Sequence, residues 1–435
     1  MGTARPTRQQ MEWQDMERTM FVHFSPAAWQ GTELDERTTP LSEMKLEKLD
    51  TDQWCEAAIS WGAKMIVFVA KHRGGFCWWQ TDTTEYSVKN IPWKNGKGDL
   101  LEDISRSCRK YGLKLGVYLN PVEPDWNAGD GGKTEDPALQ EAYSQVYRQQ
   151  LTEVLGRYGT ITEVWFDGSC IIDVSDIMDT YAKDAIIFQS PRASIRWCGT
   201  EEGYLPMNAW SALKRGDLES GVATAAQGNP DGDAYAPLEA DTTLYDHYWF
   251  WSKEHEKKRK SLEKLIRIYY HTVGRGGQLL LNASPTSDGN ISAEDMERYR
   301  EFGQELERRF GSMGFEEDSP QLEKEDESFV WTHVFPEKQK WNHVILMEDI
   351  SGGERIREFT IEYRNGEEWN TLWAGNHLGH KKILVFDDQE MDAVRVRITE
   401  WNEIPHLRRA AMNLVECEDL QKLIEAQEQA AGRGK

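Results

Sequence analysis

The feature that most constrains the fold is a repeated unit, in which a helical face is followed by a short, continuously apolar run. Helical faces lie within residues 51–62, 100–111, 139–158 and 177–181, and the runs that follow them span 65–70, 113–119, 161–166 and 185–188. Runs of this kind are typical of parallel strands that are buried on both faces. The repeat therefore predicts parallel strand–helix units.

The number of units favours a closed barrel over an open sheet. Apolar runs at 20–23 and 278–282 supply plausible first and last strands. No glycine-rich turn of the kind that binds a pyrophosphate follows the first run, which weakens a dinucleotide-binding interpretation. We therefore predict a (β/α)8-like TIM barrel over residues 1–315.

The pattern changes after residue 315. Residues 316–328 are acidic and polar, and we interpret them as a connector. Between 329 and 417, short alternating apolar runs are separated by turn signals, which is typical of a β-sandwich. Residues 418–435 are polar and helix-prone, and we expect this tail to fray.

The charge balance excludes several classes of partner. Lys and Arg number 51 and Asp and Glu number 74, so the net charge is −23. A chain this acidic repels phosphate backbones and anionic lipid surfaces, so we expect neither nucleic acid nor membrane as a partner. No run reaches the roughly 18 apolar residues that a membrane helix needs.

The N-terminus and the cysteines bear on the compartment. Residues 1–11 lack an apolar signal core, so the chain as written is expected in the cytoplasm, or in the periplasm or outside the cell if trimmed from a precursor. The six cysteines show no Cys-x-x-Cys spacing. We interpret them as reduced thiols rather than a disulfide framework or zinc site. Nothing in the sequence specifies an oligomeric state.

Polar residues stand where the predicted strands end. His23, His72, Tyr118 and Asp167 all occupy such positions. In barrels of this type, chemistry gathers at the carboxyl ends of the strands. An Asp directly after a buried run is unusual for a solvated surface residue, although it can cap a helix, and each His alone can equally be a hydrogen-bonded core residue.

The absence of other motifs narrows the chemistry. The sequence has no His-x-x-x-His pair, so neither a metal nor another cofactor is predicted, and it has no Gly-x-Ser-x-Gly nucleophile elbow. A carboxylate site surrounded by histidines and aromatic residues remains. That composition is typical of glycoside hydrolysis, in which two carboxyl groups flank the scissile bond.

The order of motifs from about residue 20 to 416 resembles the α-L-fucosidases of glycoside hydrolase family 29. The motifs that carry the resemblance are Phe21-Val22-His23-Phe24, Lys71-His72 with Gly75-Phe76, Trp165-Phe166-Asp167-Gly168, Arg196-Trp197 with Gly199 to Gly203, and Val273-Gly274-Arg275-Gly276. The resemblance implies a retaining exo-enzyme that removes terminal α-L-fucose from oligosaccharides or glycoconjugates without a metal. It also implies that Asp167 is the nucleophile.

The acid/base is less uniform in that family. In the branch that prefers α-1,3- and α-1,4-linked fucose, a Glu follows the Arg-Trp segment, and Glu201 matches it. Glu202 and Glu239 are alternatives, and each of the three can also be a solvated loop carboxylate. Arg196 resembles the family Arg that reaches the nucleophile and the sugar, although it can also belong to a surface ion pair.

The resemblance also implies a set of sugar-binding residues, with His23 and His72 on hydroxyl groups. The further candidates are Glu33, Trp78, Trp79, Tyr118 and Trp249, and the three tryptophans can equally be ordinary core residues. Two departures concern the glycone, because Arg73 and Gly74 stand where the family has His and Asp.

Because of these departures, L-galactose is an alternative to L-fucose as the terminal sugar that the protein recognises. The departures also keep open a catalytically silent carbohydrate-binding protein, although the presence of both carboxylates argues against it.

Overall fold

The computed structural model describes residues 3–218 and 226–432. Its helices are α1 (Arg8–Met16), α2 (Ala27–Gln30), α3 (Thr51–Ser60), α4 (Leu100–Tyr111), α5 (Pro137–Arg157), α6 (Ser175–Tyr181), α7 (Leu262–His271), α8 (Ala293–Phe310) and α9 (Leu420–Ala430). The strands up to residue 283 are β1 (Arg18–Val22), β2 (Met65–Lys71), β3 (Lys114–Leu119), β4 (Glu163–Trp165), β5 (Ile186–Phe188), β6 (Arg196–Trp197), β7 (Ala212–Leu213), β8 (Ala234–Tyr235), β9 (Leu238–Thr242) and β10 (Gln278–Ala283). The later strands are β11 (Phe315–Asp318), β12 (Glu323–Glu325), β13 (Ser328–Glu348), β14 (Ile356–Asn365), β15 (Glu368–Gly375), β16 (Lys382–Trp401) and β17 (Leu407–Asn413).

Eight parallel strands form the barrel that the repeat predicts. Their order is β5-β4-β3-β2-β1-β10-β9-β6. A parallel bridge between Phe188 and Ile195 connects the two outer strands and brings the sheet to near closure. The prediction of a (β/α)8-like barrel is confirmed. The sequence analysis did not delimit β6 and β9, because β6 is two residues long and Glu239 and Asp241 interrupt the apolar run of β9.

Local sequence signals set the bounds of the barrel helices, as α4 illustrates. The Asp99 side chain accepts a hydrogen bond from the backbone N–H of Glu102 and caps the helix. The helix ends at Gly112, whose φ of 69° lies in the left-handed region that glycine adopts without strain. Its apolar face packs on the sheet through Leu100, Leu101, Ile104 and Cys108.

The domain that contains β11 to β17 is antiparallel and forms the predicted β-sandwich. The strand order is β11-β17-β13-β16-β14-β15, with β12 paired to β13. Register shifts interrupt the pairing of β13 with β16, and irregularities of this kind bend long strands. The core of this domain includes Trp331, Trp341, Phe359, Ile361 and Val396.

Two segments differ from their predicted character. The acidic stretch predicted as a connector contains β12 and most of β11, because the backbone of β12 pairs with β13 and that of β11 with β17. The side chains of β12 are exposed, so backbone pairing forms this strand without side-chain burial. The tail predicted to fray contains α9. Leu423 of this helix is buried in the core of the barrel domain, and Gln427 bonds the backbone of Val385, so tertiary contacts hold the helix.

Two further expectations concern the membrane and the cysteines. Within residues 3–218 and 226–432, the structure contains no helix of the length and apolarity that a bilayer crossing requires. Cys55, Cys77, Cys108, Cys170 and Cys198 are buried. These thiols belong to the packed interior.

Candidate active site

A cavity of about 300 Å³ opens at the carboxyl ends of the barrel strands. The residues that line it are Phe21, His23, Glu33, Leu34, His72, Arg73, Tyr118, Trp165, Asp167, Gly168, Phe188, Gln189, Trp197, Glu201, Asp241, Trp249 and Phe250. Aromatic rings and carboxyl groups dominate the lining. The size of the cavity is within the range of pockets that hold small ligands.

Asp167 lies just beyond β4, and two neighbouring side chains hold its carboxylate in place. Its Oδ2 accepts a hydrogen bond from the Tyr118 hydroxyl at 2.8 Å and a longer one from Asn120 Nδ2 at 3.4 Å. Asn120 Nδ2 also donates to the Tyr118 oxygen, so the three groups form one network. Burial raises the pKa of Asp167, while the Tyr118 hydrogen bond and the Arg73 charge oppose that rise.

Two histidines form the wall at β1 and β2. His23 Nδ1 lies 2.8 Å from Asn282 Oδ1, and since Asn282 Nδ2 donates to the Trp249 carbonyl, the hydrogen on His23 is assigned to Nδ1. Burial lowers the pKa of His23 well below its usual range and that of His72 to about 3. Both rings are therefore neutral at physiological pH.

Glu201 lies on the loop after β6 and is exposed. Its Oε2 accepts a hydrogen bond from Trp249 Nε1 at 3.3 Å. The backbone N–H of Trp249 donates in turn to Glu33 Oε2 at 2.8 Å. Trp249 thus connects two carboxyl groups of the cavity, and burial raises the pKa of Glu33.

Asp241 extends from β9 into the cavity and is only 4% exposed. Its Oδ1 accepts a hydrogen bond from Trp197 Nε1 at 2.6 Å. Burial and the charge of Glu201 raise its pKa to about 8, although the Trp197 hydrogen bond lowers it. Asp241 is therefore a buried carboxyl group that keeps its proton at neutral pH.

The departures at Arg73 and Gly74 have visible structural counterparts. Arg73 lines the cavity, and its Nη2 pairs with Asp130 Oδ1 at 2.9 Å. A Cβ at Gly74 would lie 2.5 Å from the Cβ and Oδ2 atoms of Asp35. The side chain of Asp35 therefore occupies the space beside Gly74, and its Oδ2 accepts a hydrogen bond from the Tyr86 hydroxyl.

The structure brings together most of the predicted site residues. Those that line the cavity are His23, Glu33, His72, Tyr118, Asp167, Glu201 and Trp249. Asn120, Trp197 and Asp241 are further residues of the site that were not predicted from the sequence. For Asp241 a signal was present, because it faces the same way as Glu239 on a strand whose other residues are small or apolar.

Two of the three tryptophans predicted as sugar-binding residues lie elsewhere, which corrects the prediction. Trp78 is 1% exposed, stacks on Phe24 and donates to the Phe24 carbonyl. Trp79 is fully buried, and its Nε1 donates to Glu153 Oε2 at 2.9 Å. Both rings point away from the cavity into the layer between sheet and helices, where their N–H groups have partners.

Arg196 and Glu239 are also absent from the cavity lining. The Arg196 guanidinium is buried and donates to backbone carbonyls, those of Trp210, Ser211 and Ala236. Glu239 Oε2 accepts a hydrogen bond from Trp165 Nε1, so it lies below the floor of the cavity. There it shares a hydrogen bond with the buried Glu163, and burial raises the pKa of both groups. Neither residue reaches a ligand in the cavity.

Glu202 was an alternative acid/base, and it too lies outside the lining. Its carboxylate is half exposed and lies 3.5 Å from His247 Nδ1. Within the described ranges there is no cluster of three His, Cys, Asp or Glu side chains with metal-site geometry. The polar groups that converge on the cavity are carboxyl groups, neutral histidines, aromatic N–H and O–H groups, the Arg73 guanidinium and the Gln189 amide.

Carboxyl groups, neutral histidines and aromatic rings at the carboxyl end of a barrel are a composition typical of glycosidases. The family model for alpha-L-fucosidases matches residues 5–309. The chain therefore belongs to the alpha-L-fucosidase family, and it is a glycosidase.

Individual relatives agree with this assignment. The chain is 29% identical to alpha-L-fucosidase 1 of Arabidopsis thaliana over 425 residues, which cover 88% of this chain and 81% of the relative. It is 26% identical to human plasma alpha-L-fucosidase over 310 residues, which cover 67% of this chain and 60% of the relative. A solved glycoside hydrolase 29 family member from an unknown rumen bacterium superposes with a TM-score of 0.84 at 28% identity, covering 98% of this chain and 81% of that one.

Proposed function

We propose that the chain hydrolyses terminal α-L-fucosyl linkages of oligosaccharides or glycoconjugates with retention of configuration. The observation that carries this proposal is the setting of Asp167, a carboxylate in the cavity that Tyr118 and Asn120 orient through Oδ2. A nucleophile must be ionised and fixed in position. The hydrogen bonds that Asp167 accepts favour its charged form.

In the first step, Asp167 attacks the anomeric carbon and forms a glycosyl ester as the bond to the leaving oxygen breaks. Glu201 gives its proton to that oxygen. In the second step, a water molecule gives a proton to Glu201 and attacks the anomeric carbon, and the ester bond breaks. The exposure of Glu201 at the open side of the cavity supports this role, because the leaving group departs there.

The apolar walls favour L-fucose over L-galactose as the terminal sugar. Phe21, Trp249 and Phe250 line the cavity and offer contact to a methyl group. L-Galactose carries a hydroxymethyl group at that position, and burying its hydroxyl without a partner is unfavourable. Apolar pockets reject an added hydroxyl by about 100-fold at most, so we expect a preference of that order or less.

The charge of Arg73 supports the same preference. Its pairing with Asp130 at 2.9 Å balances the guanidinium within the cavity wall. An anionic group on the sugar is therefore not favoured here. The match of Glu201 to the branch pattern leads us to propose α-1,3- and α-1,4-linked fucose as the preferred linkages.

A hydrolysis screen tests the proposal. Nitrophenyl α-L-fucoside, α-L-galactoside and a β-linked control are compared, and the anomer released first is identified by NMR. We expect the α-L-fucoside to be cleaved fastest, with the α-anomer released first. Sugar binding without release would favour the catalytically silent carbohydrate-binding protein, and initial release of the β-anomer would contradict retention.

A further inference from the structure

Asp241 occupies a position in the cavity to which the mechanism assigns no role. On β9, Glu239 and Asp241 are two residues apart and face the barrel interior together. Glu239 bonds the ring nitrogen of Trp165, a residue of the cavity floor, whereas Asp241 reaches the cavity itself. Asp241 therefore lies at the level where a terminal sugar is bound.

The carboxyl group of Asp241 is held in place from one side. Its Oδ1 accepts the 2.6 Å hydrogen bond from Trp197 Nε1, and the Trp197 ring lines the same cavity. A neutral carboxyl group keeps one O–H donor in addition to its acceptor oxygens. The contact with Trp197 uses acceptor capacity only, so the donor remains for a ligand.

The ionisable groups around Asp241 disfavour its charged form. The carboxyl groups of Asp167, Glu201 and Glu239 and the thiol of Cys198 lie near it. Each of these adds negative charge when ionised. Burial and the charges of Glu201 and Asp167 raise the pKa of Asp241 to about 8, whereas burial also raises the pKa values of Glu239 and Cys198 and so disfavours their charged forms.

The proposed nucleophile has different polar neighbours. Asp167 accepts hydrogen bonds from Tyr118 and Asn120, and the cation of Arg73 lies near it. Burial raises the pKa of both carboxyl groups, but two donors and a cation oppose that rise at Asp167, whereas the Trp197 hydrogen bond opposes it at Asp241. Asp167 is therefore the better placed of the two to carry the negative charge.

We propose that Asp241 is an additional sugar-binding residue, which in its neutral form donates a hydrogen bond from Oδ2 to a hydroxyl group of the terminal sugar. This inference rests on the proposed function and deepens it. A neutral acid gives the sugar a donor without placing a second negative charge beside the nucleophile. Glu201, in contrast, is exposed and serves the leaving group.

The test compares two substitutions at this position with a nearby control. Asp241→Asn keeps a neutral donor, Asp241→Ala removes it, and Asp246→Asn changes a partly exposed Asp that pairs with Lys264 outside the cavity. Values of kcat and KM on nitrophenyl α-L-fucoside are measured from pH 5 to 9. Affinity for free L-fucose is measured by calorimetry, which needs no turnover.

We expect Asp241→Ala to lower kcat/KM and the L-fucose affinity by about 10- to 100-fold, the effect of losing a polar contact in a buried site. Asp241→Asn should stay within about fivefold of the unsubstituted enzyme at pH 7, as a neutral donor remains. In calorimetry over the same pH range, the unsubstituted enzyme should lose L-fucose affinity as the pH rises through about 8, and Asp241→Asn should abolish that loss. A series of monodeoxy-fucosides identifies the contacted hydroxyl group. With the one that lacks this hydroxyl, Asp241→Ala should no longer lower kcat/KM.

Several results would overturn the inference. One is an Asp241→Ala enzyme within threefold of the original in both kcat/KM and L-fucose affinity. Another is an alkaline loss of L-fucose affinity that persists in Asp241→Asn. A third is an Asp241→Asn enzyme impaired only on poor leaving groups and rescued by azide, which would make Asp241 the proton donor. If the unsubstituted chain binds L-fucose through Asp241 but hydrolyses no fucoside, the proposed function fails and the binding role stands.

Discussion

Asp167 combines two properties that a covalent nucleophile needs. It lines the cavity, and the Tyr118 hydroxyl and the Asn120 amide orient its Oδ2. The two donors come from β3 and from the residue just after it, while Asp167 follows β4, so neighbouring strands of the barrel set the geometry. A change at Asp167 therefore tests chemistry more directly than a change elsewhere in the cavity.

Asp167→Ala should lower turnover by about four orders of magnitude or more, because no glycosyl-enzyme can form. Trapping the unsubstituted enzyme with a fluorinated fucosyl reagent, followed by peptide mapping, should label Asp167. Asp179→Ala removes an exposed carboxylate that pairs with Arg192 and should leave turnover unchanged. A label on another carboxylate would contradict the assignment.

The role of Glu201 depends on the leaving group. Glu201→Ala should impair hydrolysis of an oligosaccharide far more than that of a dinitrophenyl fucoside, since a good leaving group departs without a proton. Azide should restore turnover on the activated substrate, because it attacks the glycosyl-enzyme without base assistance. Hydrolysis rates of both substrates, with and without azide, measure the dependence on the leaving group and the rescue.

Glu202 provides the matched control, since it is adjacent in sequence but its carboxylate faces His247 outside the cavity. Glu202→Ala should leave both rates nearly unchanged. If azide rescue appears in the Glu202 variant and not in the Glu201 variant, the acid/base assignment moves to Glu202.

At the scale of elements, the loops after β1 and β2 depend on each other. Asp35 accepts hydrogen bonds from Gln30 Nε2 and from the Tyr86 hydroxyl, each at 2.9 Å. The Arg37 guanidinium of the same loop donates to the Gly74 carbonyl. This loop carries Glu33 and Leu34 into the cavity wall. The small residue at position 74 therefore makes room for a carboxylate supplied by a different loop.

Gly74→Ala should destabilise the protein by about 1–3 kcal/mol, because the added Cβ would lie 2.5 Å from Asp35 and force that side chain to move. The displaced loop carries cavity residues, so KM should also rise. Urea unfolding and steady-state kinetics measure the two effects. Gly216→Ala is the control, since a Cβ there meets no atom within 4 Å. Equal stability of the two variants would mean that the loop adapts at no cost.

At the scale of the whole molecule, buried polar contacts join the sandwich to the barrel. Glu354 Oε2 accepts hydrogen bonds from the backbone N–H groups of Ser211 and Ala212, and Lys382 Nζ donates to the Met207 carbonyl. These contacts hold the segment that follows the Glu201 loop. The sandwich thus supports the part of the barrel that carries the proposed acid/base.

Glu354→Ala should lower the free energy of unfolding by about 3 kcal/mol at pH 7, since it leaves two buried N–H groups without their acceptor. Burial opposes ionisation of Glu354, but His377 and the Ser211 amide outweigh it and lower the pKa of the carboxyl group. Because the pKa of Glu354 is lower in the folded protein, its carboxylate stabilises the fold at pH values above its unfolded pKa of about 4.3. This stabilisation is lost as the pH falls through the pKa of Glu354 in the folded protein.

Urea unfolding from pH 3 to 7 tests whether the stabilisation by Glu354 decreases towards acid pH. The difference between the original protein and Glu354→Ala should shrink towards acid pH. Glu367→Ala changes an exposed residue of the turn between β14 and β15 and should match the original protein throughout. A difference that grows towards acid pH would contradict a lowered pKa.

Period and spacing in the sequence predicted the barrel architecture, although they did not delimit β6 and β9. Each apolar run that follows a helical face became a parallel strand, because a helix-covered strand must be apolar on both sides. The position of Asp167 after such a run also follows from order along the chain. So does its place in the cavity, since every parallel strand of the barrel ends at the same rim.

Only the tertiary structure decided which way the side chains of loops and inner layers point. Trp78 and Trp79 follow β2 as His72 does, yet both turn into the core, where the Phe24 carbonyl and Glu153 satisfy their N–H groups. Glu239 and Asp241 share one face of one strand, yet only Asp241 reaches the cavity. Sequence gives the direction of a residue along a strand, whereas its depth in the barrel depends on how the strands tilt and stagger when the sheet closes.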